Sequence, residues 1–197
     1  MARWEPDSRR RLHEAAFALY AERGFDSTTV AEIASRAGLA ERTFFRHFAD
    51  KREVLFAGSE AFQQAMVSAV AGAPGSAAPL DAVAAGLEAA AAQIPGRELA
   101  RQRQAIIVAN PELQERELIK FASLSDALTN TLRDRGLGDP AARLLAEAGL
   151  AVFRVAFDRW TDADADADER DLPALIQDSL AELRDIVTED SRTAAAR

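Results

Sequence analysis

Apolar residues recur every three or four positions along nearly the whole chain, and no segment alternates apolar and polar residues as a half-buried strand would. From Ser8, the residues Leu12, Ala16, Leu19 and Tyr20 fall on one helical stripe, ended by Gly24 in a C-cap position. In the next run, STTVAEIASRAG, Thr29 is placed as an N-cap with Glu32 three residues later, a capping box ahead of Val30, Ile33, Ala34 and Ala37. Gly38 closes that short helix, and LAERTFFRHF reads as a third. Asp50 is placed to cap a fourth helix running from Lys51 through Val54, Leu55, Phe62, Met66 and Val70 until AGAPGSAAP breaks it. Further helical stretches are expected at roughly 80–94, 98–109, 112–135, 139–160 and 171–188, punctuated by Gly96, Pro111, Gly136, Gly138 and Pro140. The pattern predicts an all-α protein with three short helices at its N-terminus and a longer helical bundle behind them.

The third helix carries the most unusual residue mixture. In GLAERTFFRHFADK, Gly38 to Lys51, phenylalanines and cations share about three helical turns. At about 100° per residue, Phe44 and Phe48 fall on one side, where they would pack on Ile33, Ala34 and the first helix. Arg42 and Arg46 fall opposite with Thr43 close by, and Phe45 and His47 flank the apolar stripe. Short helices joined by a glycine-punctuated turn make a helix-turn-helix, whose second helix enters the DNA major groove. Cations on its free face suit phosphate oxygens and guanine N7 and O6. Lys51, at the start of the next helix, is also placed for an anion. A solvated, charged helical corner is the alternative reading of the same spacing.

Charge sharpens this picture through its distribution. The net charge is −8, which by itself argues against a simple nucleic-acid binder. Residues 1–56 hold ten Lys/Arg against nine Asp/Glu, about +1, and the remainder holds fourteen against twenty-three, about −9. The acidity therefore lies in the C-terminal part, as expected of two regions with different partners. The absence of cysteine excludes a disulfide framework and a thiolate metal site. No apolar run is long enough for a membrane span or a signal peptide, so a soluble cytoplasmic protein is expected. The two histidines, His13 and His47, are far apart, and no phosphate-binding glycine loop or HExxH pattern occurs, so neither an enzyme nor a cofactor is expected.

The run GFDSTTVAEIASRAGLAERTFFRHFADKREVLF closely resembles the N-terminal DNA-binding domain of the TetR (tetracycline repressor) family of bacterial regulators. The match covers roughly residues 8–56 and includes Gly24-Phe25, Thr28-Thr29-Val30, Ile33-Ala34, Ala37-Gly38, Thr43-Phe44, His47-Phe48, Lys51 and Leu55. The resemblance implies a DNA-binding domain over 1–52 and a helical ligand-binding and dimerisation domain over 53–197. It implies a homodimer that binds a double-stranded, palindromic operator and is released by a small effector. By the same resemblance Glu41, Arg42, Phe45 and Arg46 lie where base-edge contacts are usual, and Thr29, Thr43, His47 and Lys51 where phosphate contacts are usual. Two departures stand out. Ala40 replaces a polar helix cap, and Phe45 stands where tyrosine is frequent, so no hydroxyl can reach a phosphate there.

The C-terminal part is less specific. RELARQRQAIIVANPELQERELIKFASLSDALTNTL loosely resembles the ligand domain of family members that sense acyl-CoA-like molecules, which implies an amphipathic effector. Candidate lining residues are Phe62, Met66, Ile106, Ile107, Phe121, Leu124, Phe153 and Phe157, with Arg101 and Arg103 placed for an anionic headgroup. Packing in an ordinary core and surface salt bridging are the competing readings of these residues. In the last two helices, Leu172, Leu175, Ile176, Leu180, Leu183 and Val187 form an apolar stripe, and small Ala148, Gly149 and Ala151 would allow close helix approach. The same residues could serve the monomer's own core. The family resemblance implies instead a four-helix dimer interface through these two helices. Between them, TDADADADERD lacks the glycine of a calcium loop and reads as a solvated loop. A ligand-binding or scaffold protein without operator binding is the alternative function, and it would predict an eroded recognition helix.

Overall fold

The computed structural model describes residues 7–162 and 170–195; the central aspartates of the Asp-rich run lie outside them. Among the described residues the chain forms nine helices: α1 (Ser8–Arg23), α2 (Val30–Arg36), α3 (Glu41–His47), α4 (Ser59–Gly72), α5 (Pro79–Ala91), α6 (Arg97–Val108), α7 (Pro111–Asp134), α8 (Asp139–Thr161) and α9 (Leu172–Ala195). The all-α expectation holds. Contacts group the chain into two units, one of residues 1–59 with 101–117, the other of residues 60–100 with 118–197.

In the first unit α1, α2 and α3 pack on one another. Their inner side is made by Leu12, Ala16, Ile33, Ala34 and Phe44, all buried. The capping box at the start of α2 is present: the Thr29 hydroxyl accepts from the Glu32 N–H, and the Glu32 carboxylate accepts from the Thr29 N–H. The end of α2 has the Schellman hydrogen bonds, with Leu39 N–H to Ala34 O (2.8 Å) and Gly38 N–H to Ser35 O (3.0 Å). Gly38 sits at φ 67°, and a Cβ there would come 2.9 Å from the Arg11 guanidinium. That guanidinium donates to the Ala37 carbonyl, so α1 holds the turn between α2 and α3 from behind.

The segment after α3 differs from the helix expected from Lys51 onward. Asp50 does cap it, its carboxylate accepting from the Arg52 and Glu53 N–H groups at 2.8 and 3.2 Å. Beyond that cap the backbone makes a run of tight i→i+3 turns, including Leu55 N–H to Arg52 O and Phe56 N–H to Glu53 O, and the α-helix starts only at Ser59. Val54, Leu55 and Phe56 are all buried there, and the Leu55 carbonyl, which in an α-helix would accept from the Ser59 N–H, is taken by the Arg103 side chain while the Ser59 N–H donates to the Phe56 carbonyl. Residues 101–117 hold this segment in place. Arg103 donates to the Leu55 carbonyl (2.8 Å), lies over the Phe56 ring and pairs with Glu117 (3.0 Å), while Arg116 donates to Glu53 at 2.7 Å.

In the second unit α5, α8 and α9 pack together, with Met66 and Val70 of α4 and Leu124, Leu128 and Leu132 of α7 completing the core. Most of the apolar stripe of α9 belongs to this core: Leu172, Leu175, Ile176 and Leu180 are buried in it, and Leu183 packs against it. Gly149 is likewise turned inward, where a Cβ would come 2.6 Å from Val83 of α5. The own-core reading therefore holds for these residues, because α5 occupies the face they present. No described helix is long and apolar enough to cross a membrane.

The turn at Gly38 gives a direct test. Gly38→Ala places a side chain in the left-handed region and against Arg11, so thermal or urea unfolding should show a loss of about 1–2 kcal/mol from the backbone alone. An unchanged unfolding midpoint would contradict this account of the turn.

Candidate nucleic-acid interface

Helix α3 has seven residues and no side-chain cap at Ala40, so its own hydrogen bonds cannot hold it in water. Phe44 supplies the anchor. Its side chain is fully buried, it meets the Phe48 ring at 5.5 Å, and the Phe48 N–H donates to the Phe44 carbonyl to end the helix. With that face fixed inward, Glu41, Arg42, Phe45 and Arg46 are exposed and Thr43 and His47 are half-buried at the margins.

Partnering separates these residues more sharply than exposure. Arg9 donates to the Ala57 carbonyl, Arg23 pairs with Glu32, Arg36 with Glu22, and Arg52 with Asp50. Arg42 and Arg46 make no ion pair or hydrogen bond among the described residues, and the same holds for the hydroxyl of Thr43 and the ring nitrogens of His47. Four neighbouring side chains of one helix thus keep unused donors. The His47 ring meets Phe48 at 6.4 Å. Burial lowers its pKa, and the nearby positive charges of Arg46 and Arg9 lower it further, so at neutral pH it is an uncharged donor and acceptor.

Two of the residues expected at phosphates have side-chain partners within the fold. The Lys51 ammonium donates to the carbonyls of Phe25 (2.8 Å), Thr28 (3.0 Å) and Asp26 (3.2 Å) and lies 4.3 Å from the Phe25 ring centroid. Its three N–H donors are all taken, and the Lys51 carbonyl in turn accepts from the Tyr20 hydroxyl at 2.7 Å. In this structure Lys51 ties the α1–α2 loop to the segment after α3. The hydroxyl of Thr29 donates to Glu32 at 2.8 Å within the capping box. Its single hydrogen is also taken, and the same box holds the Glu32 carboxyl below the usual carboxylate range, chiefly through the Thr29 N–H.

The candidates for an effector site divide between the two units. Arg103, Ile106 and Ile107 lie in the first, where Ile107 is fully buried and burial lowers the pKa of the Arg103 guanidinium while Glu117 opposes that shift. Phe62, Met66, Phe121, Leu124, Phe153 and Phe157 lie in the second. There Phe62 meets Phe153 edge-on at 5.2 Å, and Phe153 stacks on Phe157 at 5.8 Å. Trp160 continues this row, 6.0 Å from Phe157, and nothing in the spacing of a single tryptophan marks that place in the sequence. The roles of Arg9 and Arg11 are equally hidden there. A cation that holds a backbone carbonyl across the fold leaves no sequence signature.

A buried-backed helix presenting unpaired cations beside a glycine turn has the geometry of a DNA-binding helix-turn-helix. Comparison with known proteins agrees and narrows the class. Residues 12–57 match the bacterial regulatory proteins of the tetR family, and residues 77–188 match the MftR C-terminal domain. The chain belongs to the TetR family of DNA-binding transcriptional regulators, with an MftR-type C-terminal domain, and that family is not one of enzymes. It is 28% identical over 200 residues to the HTH-type transcriptional regulator TcmR of Streptomyces glaucescens, covering 96% of this chain and 88% of that protein. Solved structures with the same fold include a transcriptional regulator from Aquifex aeolicus VF5, at 20% identity and a TM-score of 0.55 over 91% of this chain and 99% of that one. Another is SmeT, the repressor of the Stenotrophomonas maltophilia multidrug efflux pump SmeDEF, at 22% identity and a TM-score of 0.53 over 87% and 86% of the two chains.

The two kinds of cation can be separated by experiment. Lys51→Met leaves three carbonyls without their donor and should lower unfolding stability by about 1–3 kcal/mol. Arg46→Ala, at an exposed and unpaired position, should stay within about 0.5 kcal/mol of wild type. Equal effects in a denaturant titration would contradict the division.

Proposed function

We propose that the protein is a homodimeric repressor whose two α3 helices read a palindromic operator and whose C-terminal unit binds a small amphipathic effector that releases the DNA. The observation that carries the first part is the pair of unpaired guanidinium groups, Arg42 and Arg46, on a helix face fixed by Phe44. In the major groove such groups meet guanine N7 and O6, and at its rim they meet phosphate. Thr43 and His47, with unused donors at the margins of the same face, suit phosphate oxygens. Glu41 would accept from a cytosine amino group. Lys51 and Thr29 act through the fold, by fixing the approach to α3. An intact recognition face also speaks against the scaffold alternative.

The dimer reading rests on a second apolar stripe. On α8, Leu144, Ala148, Ala151 and Val155 follow one another at intervals of four, three and four residues, and Leu144 and Val155 are exposed at 72% and 45%. Small residues in the middle of the stripe allow a partner helix to come close. Ile186 and Val187 add exposed apolar surface on α9. A two-fold axis would set these surfaces against their copies, and half-sites about one turn of DNA apart, ~34–36 Å, would match the pair of α3 helices.

The effector reading is supported by half-buried Phe62, Phe121 and Phe157, which pack against the second unit's core, where Met66, Leu124 and Phe153 are buried. An amphipathic, acyl-CoA-like ligand suits such a lining. Arg103, Ile106 and Ile107 would then report on the segment after α3, to which Arg103 is bonded. A change in separation between the α3 helices would disfavour a fixed half-site spacing.

Two outcomes test this reading. Selection of bound duplexes from a random pool should recover a palindrome, and Arg46→Ala should weaken its binding by about 10- to 100-fold with fold and dimerisation intact. Wild-type affinity in that variant would contradict the recognition-face assignment. Separately, Ala151→Glu should leave the subunit folded but shift sedimentation from dimer to monomer. A dimer as tight as wild type would contradict the α8 interface.

A further inference from the structure

Phe45 is the large apolar residue on an otherwise polar helix face. Its side chain is 56% exposed, between Arg42 one turn before it and Arg46 directly after it. The ring stands edge-on to Phe44, centroids 5.5 Å apart and planes at 82°, and Phe44 is fully buried. A rigid neighbour therefore fixes the direction of an aromatic ring that points away from the unit's own core. Leaving such a ring in water is unfavourable, and a surface with two unpaired cations beside it meets an anionic partner.

We infer that Phe45 reads the C5-methyl group of a thymine in each operator half-site. The inference rests on the proposed entry of α3 into the major groove. The floor of that groove presents donors and acceptors from every base pair, and thymine adds the apolar methyl group. Phosphates offer a phenylalanine nothing, because it has no hydroxyl to donate. Arg42 and Arg46 fix the register through phosphate or guanine, and Phe45 between them adds discrimination of thymine from cytosine at one position. Hydrogen-bonding side chains at the same place could not make that distinction through the methyl.

The test uses the full-length protein and a palindromic duplex recovered from a random pool, with each thymine replaced in turn by deoxyuridine. That change removes the methyl group and leaves every hydrogen-bonding edge intact. One symmetric replacement should weaken wild-type binding by about 4-fold per half-site, about 15-fold for the two together. Phe45→Ala should bind the thymine and deoxyuridine duplexes equally, and Phe45→Leu should keep part of the preference, with both variants unfolding at the wild-type midpoint. Wild-type indifference to every replacement overturns the inference, as does a preference that survives in Phe45→Ala. Arg46→Ala separates the two levels of the account. If it loses the duplex while the methyl replacements have no effect, the α3 reading stands and only the Phe45 assignment falls. If it binds as wild type, or if no duplex is enriched, both fall.

Discussion

The burial of one ring, Phe44, is the constraint on which the outer face of α3 depends. A seven-residue helix without a side-chain cap has no independent stability, so its orientation is set wholly by what it buries. Phe44 lies inside α1, α2 and α3, and the positions around it on α3 are thereby assigned: Phe48 inward, Thr43 and His47 at the margin, Glu41, Arg42, Phe45 and Arg46 outward. The chemistry of the outer face needs no further device. Among the described residues Arg42 and Arg46 make no ion pair or hydrogen bond, so they can meet an anion without first breaking one.

The surrounding polar contacts work to keep that face in place. Arg11 holds the turn between α2 and α3 through the Ala37 carbonyl, and Lys51 gathers three carbonyls of the α1–α2 loop. Arg103 and Arg116 secure the turns after α3 from residues distant in sequence. Among the described residues the cations of this unit thus fall into two groups, those bonded within the fold and those that are not. Net charge cannot distinguish them, which is why a chain of net charge −8 can still carry a local cationic surface.

Much of this is legible in the sequence, and where it is not the reasons are physical. The helical period, the capping box at Thr29 and the glycine at 38 are local signals, readable because each acts within a few residues. The wheel of α3 is legible for the same reason, down to the inward Phe44 and Phe48. The roles of Lys51 and Arg103 depend on partners 23 to 26 and 48 residues away, and no local pattern encodes such pairings. The turns over 52–59 read as helix because buried Val54, Leu55 and Phe56 look apolar in either conformation. On α9 the apolar stripe is visible but its destination is not: periodicity shows that a face is buried, and the fold decides against what. The packing of α5 settles that for Leu172 to Leu180, while Leu144 and Val155 of α8 stay exposed.

The central claim is that the unpaired arginines of α3 occupy the major groove. Protection of guanine N7 from dimethyl sulfate on the selected duplex tests it most directly, since N7 is open only in that groove. The account predicts protected guanines in two clusters about one helical turn apart, ~34–36 Å. It also predicts that Arg42→Ala or Arg46→Ala, at concentrations where DNA is still bound, removes protection at particular guanines in both clusters. Protection that is absent in the wild-type complex, or unchanged in both variants, would contradict it.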